Sequence, residues 1–139
     1  MSRSITLTFD NGPTTAVTPK VLDVLARRDI RATFFVLGQN LESVATVALV
    51  QRAHEEGHWI GNHTYTHAVP LGETTDVDAP AKEIARTQAL IGAFAHPNKL
   101  FRPFGGGGVI GPHLLSSGAF ELLQTAQYTC VLWYSIPQD

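Results

Sequence analysis

Leu7 to Pro13, LTFDNGP, reads as the end of a buried strand running into a turn, and it sets a carboxylate, Asp10, where the chain leaves the sheet. Upstream, Ile5, Leu7 and Phe9 alternate with Thr6 and Thr8, the period of two that marks a strand. Asn11-Gly12-Pro13 is a strong turn cluster, so the strand is expected to end at Asp10. A carboxylate in that place suffers desolvation unless it is paired or used; a turn-forming aspartate is the plainer alternative. The stretch that answers it is Gly61 to His67, GNHTYTH, in which His63 and His67 stand four residues apart.

Outward from these two stretches, the chain alternates strand and helix patterns. Thr18-Pro19 supplies a cap and a first-turn proline, and Val21, Leu22, Val24 and Leu25 make an apolar helical face up to Arg28. Ala32 to Leu37, ATFFVL, is nearly all apolar, as a strand covered on both faces would be, and Gly38-Gln39-Asn40 closes it. Leu41 to Glu56 predicts a second helix through Leu41, Val44, Val47 and Ala48, with Gly57 as its stop. His58 to Gly61 reads as a third short strand that delivers Asn62 and His63 at its end.

Ala68 to Ala79 has no periodicity and reads as a loop; Asp78 and Pro80 then open a third helix with Ile84, Leu90, Ile91 and Phe94 available for burial. After a Pro97-Asn98 break, Leu100-Phe101 is a strand fragment running into Arg102-Pro103-Phe104 and four glycines, Gly105 to Gly108, which permit backbone approach that side chains would block. Pro112 to Ala126 predicts a fourth helix weakened by Gly118, and Thr129 to Trp133 a last apolar strand. Such alternation predicts an α/β fold with a parallel sheet, whose functional groups gather at the C-terminal ends of the strands.

Composition bounds the rest. At 139 residues and 44% hydrophobic content, residues 1–139 make one domain with a core. A net charge of -2 with scattered charged residues argues against nucleic acid or an anionic membrane surface as a partner. Cys130, the single cysteine, lies in an apolar run and is expected to be a buried thiol with no internal disulfide. Met1 to Ser4 leads directly into the first strand without the apolar region of a signal peptide; the expectation is a cytoplasmic, soluble protein if that N-terminus is native. No apolar run reaches the roughly 18 residues of a membrane-spanning helix.

Neutral imidazoles at His63 and His67 suit zinc, cobalt or nickel, although a pair this close is also common at a surface or in ordinary hydrogen bonds. Arg102, at a strand end, can hold Asp10 ionised and oriented, or form a surface salt bridge. Asp10, Asn11, His63 and His67 are expected to converge on one divalent metal. A competing pattern, His54-Glu55-Glu56-Gly57-His58, matches the zinc-protease HExxH letter for letter. That mechanism needs a helix through both histidines, and Gly57 followed by the strand-like HWIG favours helix termination with solvated charges.

LTFDNGP, GNHTYTH and FRPFGG, in this order and with ATFFVLG between the first two, resemble the first three motifs of the polysaccharide deacetylases, the chitin-oligosaccharide and peptidoglycan deacetylase family, carbohydrate esterase family four. VLWYSIPQD, residues 131–139, is similar to the start of the fourth. The resemblance implies a distorted (β/α) barrel that removes acetyl groups from N-acetylated, sometimes O-acetylated, carbohydrate with a divalent metal, zinc first and cobalt or nickel as alternatives. It implies Asp10 as the catalytic base, Arg102 as the residue orienting it, His63 and His67 as metal ligands, and Trp133 as a wall of the acetyl pocket. The metal would polarise the carbonyl and acidify a water, and the Phe104 to Gly106 backbone, with Phe104 and Gly105 on the substrate side, is where an oxyanion donor is expected.

Two departures qualify the resemblance. Asn11 stands where most members carry a second aspartate as the third ligand; its amide oxygen can coordinate but removes one anionic ligand, and serving the turn is its other reading. The chain runs to Asp139, where the family pattern continues with a tryptophan, a helix and a late Leu-x-His segment that supplies the general acid. None of His54, His58, His96 or His113 resembles that segment. The expectation is therefore an incomplete barrel of about five strands, slowed in N-deacetylation by about 10² to 10⁴-fold, less so for an ester, with an unfinished edge that invites homo-oligomers. Two function classes follow: a metal-dependent hydrolase acting on an acetylated glycan, or a non-catalytic carbohydrate-binding or assembly module. Trp59, Tyr65 and Trp133 are available to stack on sugar rings or to fill core.

Overall fold

The computed structural model describes residues 4–136. Met1 to Arg3, the start of the expected leaderless N-terminus, and Pro137 to Asp139, the end of the fourth-motif stretch, lie outside the described residues.

Among the described residues one sheet runs through the molecule, with five strands in sequential order, all parallel. They are β1 (Thr8–Gly12), β2 (Thr33–Val36), β3 (Trp59–Asn62), β4 (Leu100–Phe101) and β5 (Thr129–Cys130). Between them come α1 (Thr18–Arg27), α2 (Val44–Glu55), α3 (Arg86–Ile91), entered through a π-helical turn at Pro80–Ala85, and α4 (Ser117–Thr125). Parallel neighbours need such crossovers, because a strand that ends at one edge of the sheet must be carried back before the next can pair. The parallel α/β architecture is the one the alternation predicts.

The register decides where the chemistry collects. Asp10 pairs with Phe35 and Phe35 with Gly61, while Gly12 pairs with Val36, Val36 with Asn62, and Asn62 with Phe101. His63 and Arg102 therefore follow their strands at one level, while Asp10 lies near the C-terminal end of β1, level with Gly61 and two residues short of His63.

β2 lies inside the sheet, between β1 and β3, and is buried along its length, which is why ATFFVL lacks polar alternation. Phe34 and Val36 pack outward with Leu22, Leu25, Val50, Ala53 and Ile60 in one core cluster. A second cluster joins Phe101 to Leu71, Ile84, Leu114, Ala119 and Leu123 under the last two strands.

Several boundaries move from expectation, each for a local reason. β1 begins at Thr8, and Ile5 is 86% exposed, because an edge strand has a neighbour on one side only. It also continues past Asp10 to Gly12, with a register shift at Asn11, whose φ is 70°; the Leu37 N–H donates to Gly12 O at 2.9 Å. α2 starts at Val44, because the Ser43 hydroxyl accepts the Thr46 N–H at 3.2 Å as an N-cap. Leu41 belongs to the preceding 3-10 turn Gly38–Leu41, and Val44 is 89% exposed, so Val50 and Ala53 take the burial. α1 has Val17 as its N-cap residue, and the Thr18 hydroxyl instead accepts the Thr14 N–H at 2.9 Å.

The fourth helix begins at Ser117, capped by Ser116, and Leu114 and Leu115 of the preceding turn are core. Leu90 of α3 is exposed while Ile84 and Ile91 are buried. β5 covers only Thr129–Cys130, although the Val131 N–H still donates to Phe101 O at 2.8 Å. Cys130 is exposed, correcting the expectation of a buried thiol: β5 pairs with β4 alone among the described residues, and an apolar run on an edge does not ensure cover. No helix among the described residues is long and apolar enough to cross a membrane.

Candidate active site

Asp10 sits on the inner face of β1, because residues two apart share a face and Thr8, two residues earlier, meets the same partner. That partner is Arg102. Its Nη1 donates to Asp10 Oδ1 at 2.8 Å and to Thr8 Oγ1 at 2.8 Å. Its Nε donates to Val131 O at 3.1 Å and its Nη2 to Leu132 O at 3.3 Å, while the guanidinium carbon lies 4.1 Å from the centre of the Phe35 ring. Arg102 is buried and the Asp10 side chain is 29% exposed. The pairing fixes one carboxylate oxygen and leaves the other turned toward His63, whose Nε2 is 3.7 Å from Asp10 Oδ2.

His63 is buried just beyond the end of β3. Its Nδ1–H donates to Arg102 O at 2.6 Å, since a carbonyl can only accept. That bond sets the tautomer and leaves the Nε2 lone pair free for a metal or a proton. Burial pushes the His63 imidazole below its ordinary pKa, against the opposing pull of the Asp10 carboxylate, so the ring favours the neutral form that a ligand requires. His67, in the left-handed region at φ 56°, has its ring centre 5.0 Å from that of His63 and stacks on Phe104 at 4.0 Å.

The remaining expected site residues take their places around this group. Asn11 is exposed in the β1 bulge, and its carbonyl accepts from Asn40 Nδ2 at 2.9 Å. Gly105 to Gly108 all have positive φ, a conformation that side chains resist. A Cβ on Gly106 would come within 2.6 Å of the His113 ring, and one on Gly108 within 2.9 Å of Trp133, so the run does permit the close approach expected of it. Trp133 lies with its ring centre 5.7 Å from the Arg102 guanidinium carbon. Asp10, Arg102, His63, His67 and Phe104 thus form one linked set, with Trp133 attached through Arg102 and Asn11 adjacent in the chain.

The donor set suits a divalent ion as far as two imidazoles with a free Nε2 at His63 can provide. No three His, Cys, Asp or Glu side chains gather at metal-holding spacing among the described residues. The HExxH pattern carries no such site. Gly57 has φ 85° and ends α2, His54 packs on Phe94, and His58 is buried with its Nδ1 accepting the Ala32 N–H at 3.1 Å.

Sequence reasoning missed three contributors. Thr8 and Asn62 lie inside the motif stretches, so their position was a signal. Asn62 Oδ1 accepts the Thr64 N–H at 3.0 Å, and its Nδ2 donates to Ile84 O at 2.9 Å. Glu83, which binds the loop between the histidines, belongs to no motif and left no signal.

Residues 1–116 match the family model for polysaccharide deacetylase. A peptidoglycan-N-acetylglucosamine deacetylase of Bacillus cereus is 40% identical over 100 residues, covering 71% of this chain and 35% of that protein. The family 4 carbohydrate esterase of Streptomyces lividans, solved in complex with acetate, superposes with a TM-score of 0.73 at 30% identity, over 94% of this chain and 62% of its own. A family 4 acetyl xylan esterase of Clostridium thermocellum, solved in complex with a cobalt ion, gives 0.66 at 35% identity, over 84% and 52%. The chain spans about a third of the B. cereus relative's length. The matched residues contain the aspartate, both histidines and the arginine that the sheet collects at one edge, and the superposed structures share that sheet: the chain belongs to the polysaccharide deacetylase family.

Proposed function

We propose that this chain hydrolyses acetyl groups from an acetylated glycan with the help of a divalent metal. The observation that carries the reading is the position of Asp10, held through Oδ1 by Arg102 at 2.8 Å and facing His63 Nε2 with Oδ2 at 3.7 Å. A carboxylate so placed has one oxygen committed to orientation and one available as a base. His63 and His67 would hold the ion, with the Asn11 amide oxygen as third donor; zinc is our first choice, and cobalt or nickel suit the same nitrogens. When bound, the ion polarises the acetyl carbonyl and acidifies a water molecule.

The chain's own residues do the rest. Asp10 Oδ2 takes the proton from the attacking water as its oxygen bonds to the acetyl carbon. The Arg102 guanidinium keeps the carboxylate aligned through that transfer, and the Arg102 carbonyl keeps the His63 proton on Nδ1. Backbone N–H groups between Phe104 and Gly106 face the developing oxyanion. Trp133 walls the pocket for the acetyl methyl. The carbon–nitrogen or carbon–oxygen bond then breaks, acetate leaves, and the amine or alcohol of the sugar takes the proton. The names of the relatives support both bond types, an N-acetylglucosamine amide in one and an acetyl xylan ester in another.

Acetate release from an N-acetylglucosamine oligomer and from acetylated xylan, with zinc or cobalt supplied, tests the reading. We expect release from at least one of them, abolished by a chelator and lowered about 10² to 10⁴-fold in Asp10→Asn. Bound metal near one equivalent should disappear in a His63→Ala, His67→Ala double variant. Retained sugar binding without acetate release would replace the proposal with a non-catalytic carbohydrate-binding module.

A further inference from the structure

Thr64-Tyr65-Thr66, the segment between the two histidines, is tied at each of its backbone polar groups. Its N–H groups donate to Asn62 Oδ1 from Thr64 at 3.0 Å, and to Glu83 Oε2 from both Tyr65 and Thr66 at 2.9 Å. Its carbonyls accept from Gly38 N at 3.0 Å, Gln39 N at 3.1 Å and Gln39 Nε2 at 3.3 Å, in the order Thr64, Tyr65, Thr66. The Thr66 hydroxyl donates to the other oxygen of Glu83, Oε1, at 2.8 Å.

One carboxylate therefore receives three hydrogen bonds from the two residues immediately before His67. It is itself fixed, since Glu83 belongs to the π-helical turn Pro80–Ala85 and its carbonyl accepts the Thr87 hydroxyl at 2.9 Å. The segment needs such a clamp. Thr64 and His67 both sit at positive φ, 70° and 56°, and each left-handed residue other than glycine costs about 1–2 kcal/mol. Without its partners the loop would relax toward ordinary backbone angles, and the His67 ring would swing away from His63 and from Phe104.

We infer that Glu83 is a positioning residue for the metal-binding pair: its carboxylate clamps the Tyr65 and Thr66 backbone and so sets the spacing between His63 and His67. The inference rests on the metal reading given above. Groups that orient a ligand without touching the ion typically govern metal affinity by about 10–100-fold, and Glu83 acts through the loop backbone rather than on a ring nitrogen.

The test titrates cobalt(II) into the intact chain and follows its visible absorption for the wild type, Glu83→Ala, Glu83→Asp and Glu83→Gln. Glu83→Gln keeps one oxygen for both backbone N–H groups and presents an amide to the Thr66 hydroxyl. Glu83→Asp keeps the charge but draws the carboxylate back by one methylene. We expect the alanine and aspartate variants to bind cobalt about 10–100-fold more weakly, with an altered spectrum and unchanged far-ultraviolet circular dichroism, and the glutamine variant to recover wild-type affinity and spectrum. Amide hydrogen exchange at Tyr65 and Thr66, measured without metal, should speed up in the same two variants. If the alanine variant does not fold, the aspartate variant carries the comparison.

Wild-type affinity in both the alanine and aspartate variants would overturn the inference alone. A glutamine variant as weak as alanine would also overturn it, by making charge rather than hydrogen-bond geometry the cause. A wild type that takes up no cobalt would remove the metal reading itself, and this inference with it.

Discussion

Arg102 makes four side-chain hydrogen bonds, two to β1 side chains and two to carbonyls beyond β5, so it joins the strands at the two edges of the described sheet. Replacing it with leucine would leave Asp10 without its cation and two carbonyls without a donor. Breaking a buried ion pair costs about 3–5 kcal/mol; because Asp10 retains access to water, we expect a loss near the lower end, read from urea denaturation. A loss below about 1 kcal/mol would place the pair among ordinary surface ion pairs. Thr64 carries the opposite lesson. Its hydroxyl is buried with no partner among the described residues, and such a group costs about 1–3 kcal/mol. Thr64→Val keeps shape and β-branching, and we expect it to raise the urea midpoint; a drop would show that the hydroxyl is bonded, for instance to water.

His58 gives a pH dependence. Burial lowers its pKa below the usual imidazole value, so below about pH 6.5 the unfolded chain binds a proton that the folded chain does not. The contribution of neutral His58 is full above about pH 6.5 and is lost as the pH falls through the lowered folded value. Metal-free protein should therefore lose stability on acidification through this range, His63 adding in the same direction. His58→Asn, whose Oδ1 can still accept the Ala32 N–H, should show a shallower fall. An identical slope in the two proteins would remove His58 from the account. At this scale the sequence was informative where a residue's neighbours in the chain define its role, as they do for Asp10, His63 and Arg102, which lie at or just beyond the ends of strand patterns, and for His67, four residues after His63.

Elements were legible in kind more than in extent. Five strand patterns and four helix patterns were read, and the strands lie close to where alternation and apolar runs put them, because those patterns reflect local geometry. Their ends depended on caps and on edges. Ser43 and Ser116 start α2 and α4 later than the apolar spacing suggests, and the bulge at Asn11 carries β1 past its turn signal. The 3-10 turn after β2 shows how tightly elements meet. A Cβ on Gly38 would lie 2.4 Å from both Tyr65 Cδ2 and Thr87 Oγ1. Gly38→Ala must push the histidine loop or α3 aside, and we expect a loss of about 1–3 kcal/mol, together with weaker metal uptake. A variant as stable as wild type would mean that this junction is looser than its distances indicate.

Across the whole molecule the proposed site ties distant parts of the chain together: His63 and His67 follow β3, Asp10 and Asn11 lie in β1, and Arg102 follows β4. A ligand that binds only the folded arrangement stabilises it by mass action, about 2.7 kcal/mol at a hundredfold excess over its dissociation constant. Zinc or cobalt should raise the thermal midpoint of the wild type and leave the His63→Ala, His67→Ala variant unmoved; equal shifts in both would place the ion elsewhere.

The alternation of strand and helix, the parallel sheet and the motif residues at strand ends were determined by the sequence alone, because each rests on chain neighbours and on the way a βαβ unit must return. Tertiary structure alone decided which apolar residues are covered, leaving Ile5, Val44 and Cys130 in the open, since cover depends on what packs across from a residue. It also chose Glu83 as the clamp on the histidine loop. Seventeen and eighteen positions separate it from Thr66 and Tyr65, and only the packing of its helical turn against the end of β3 brings its carboxylate to their N–H groups.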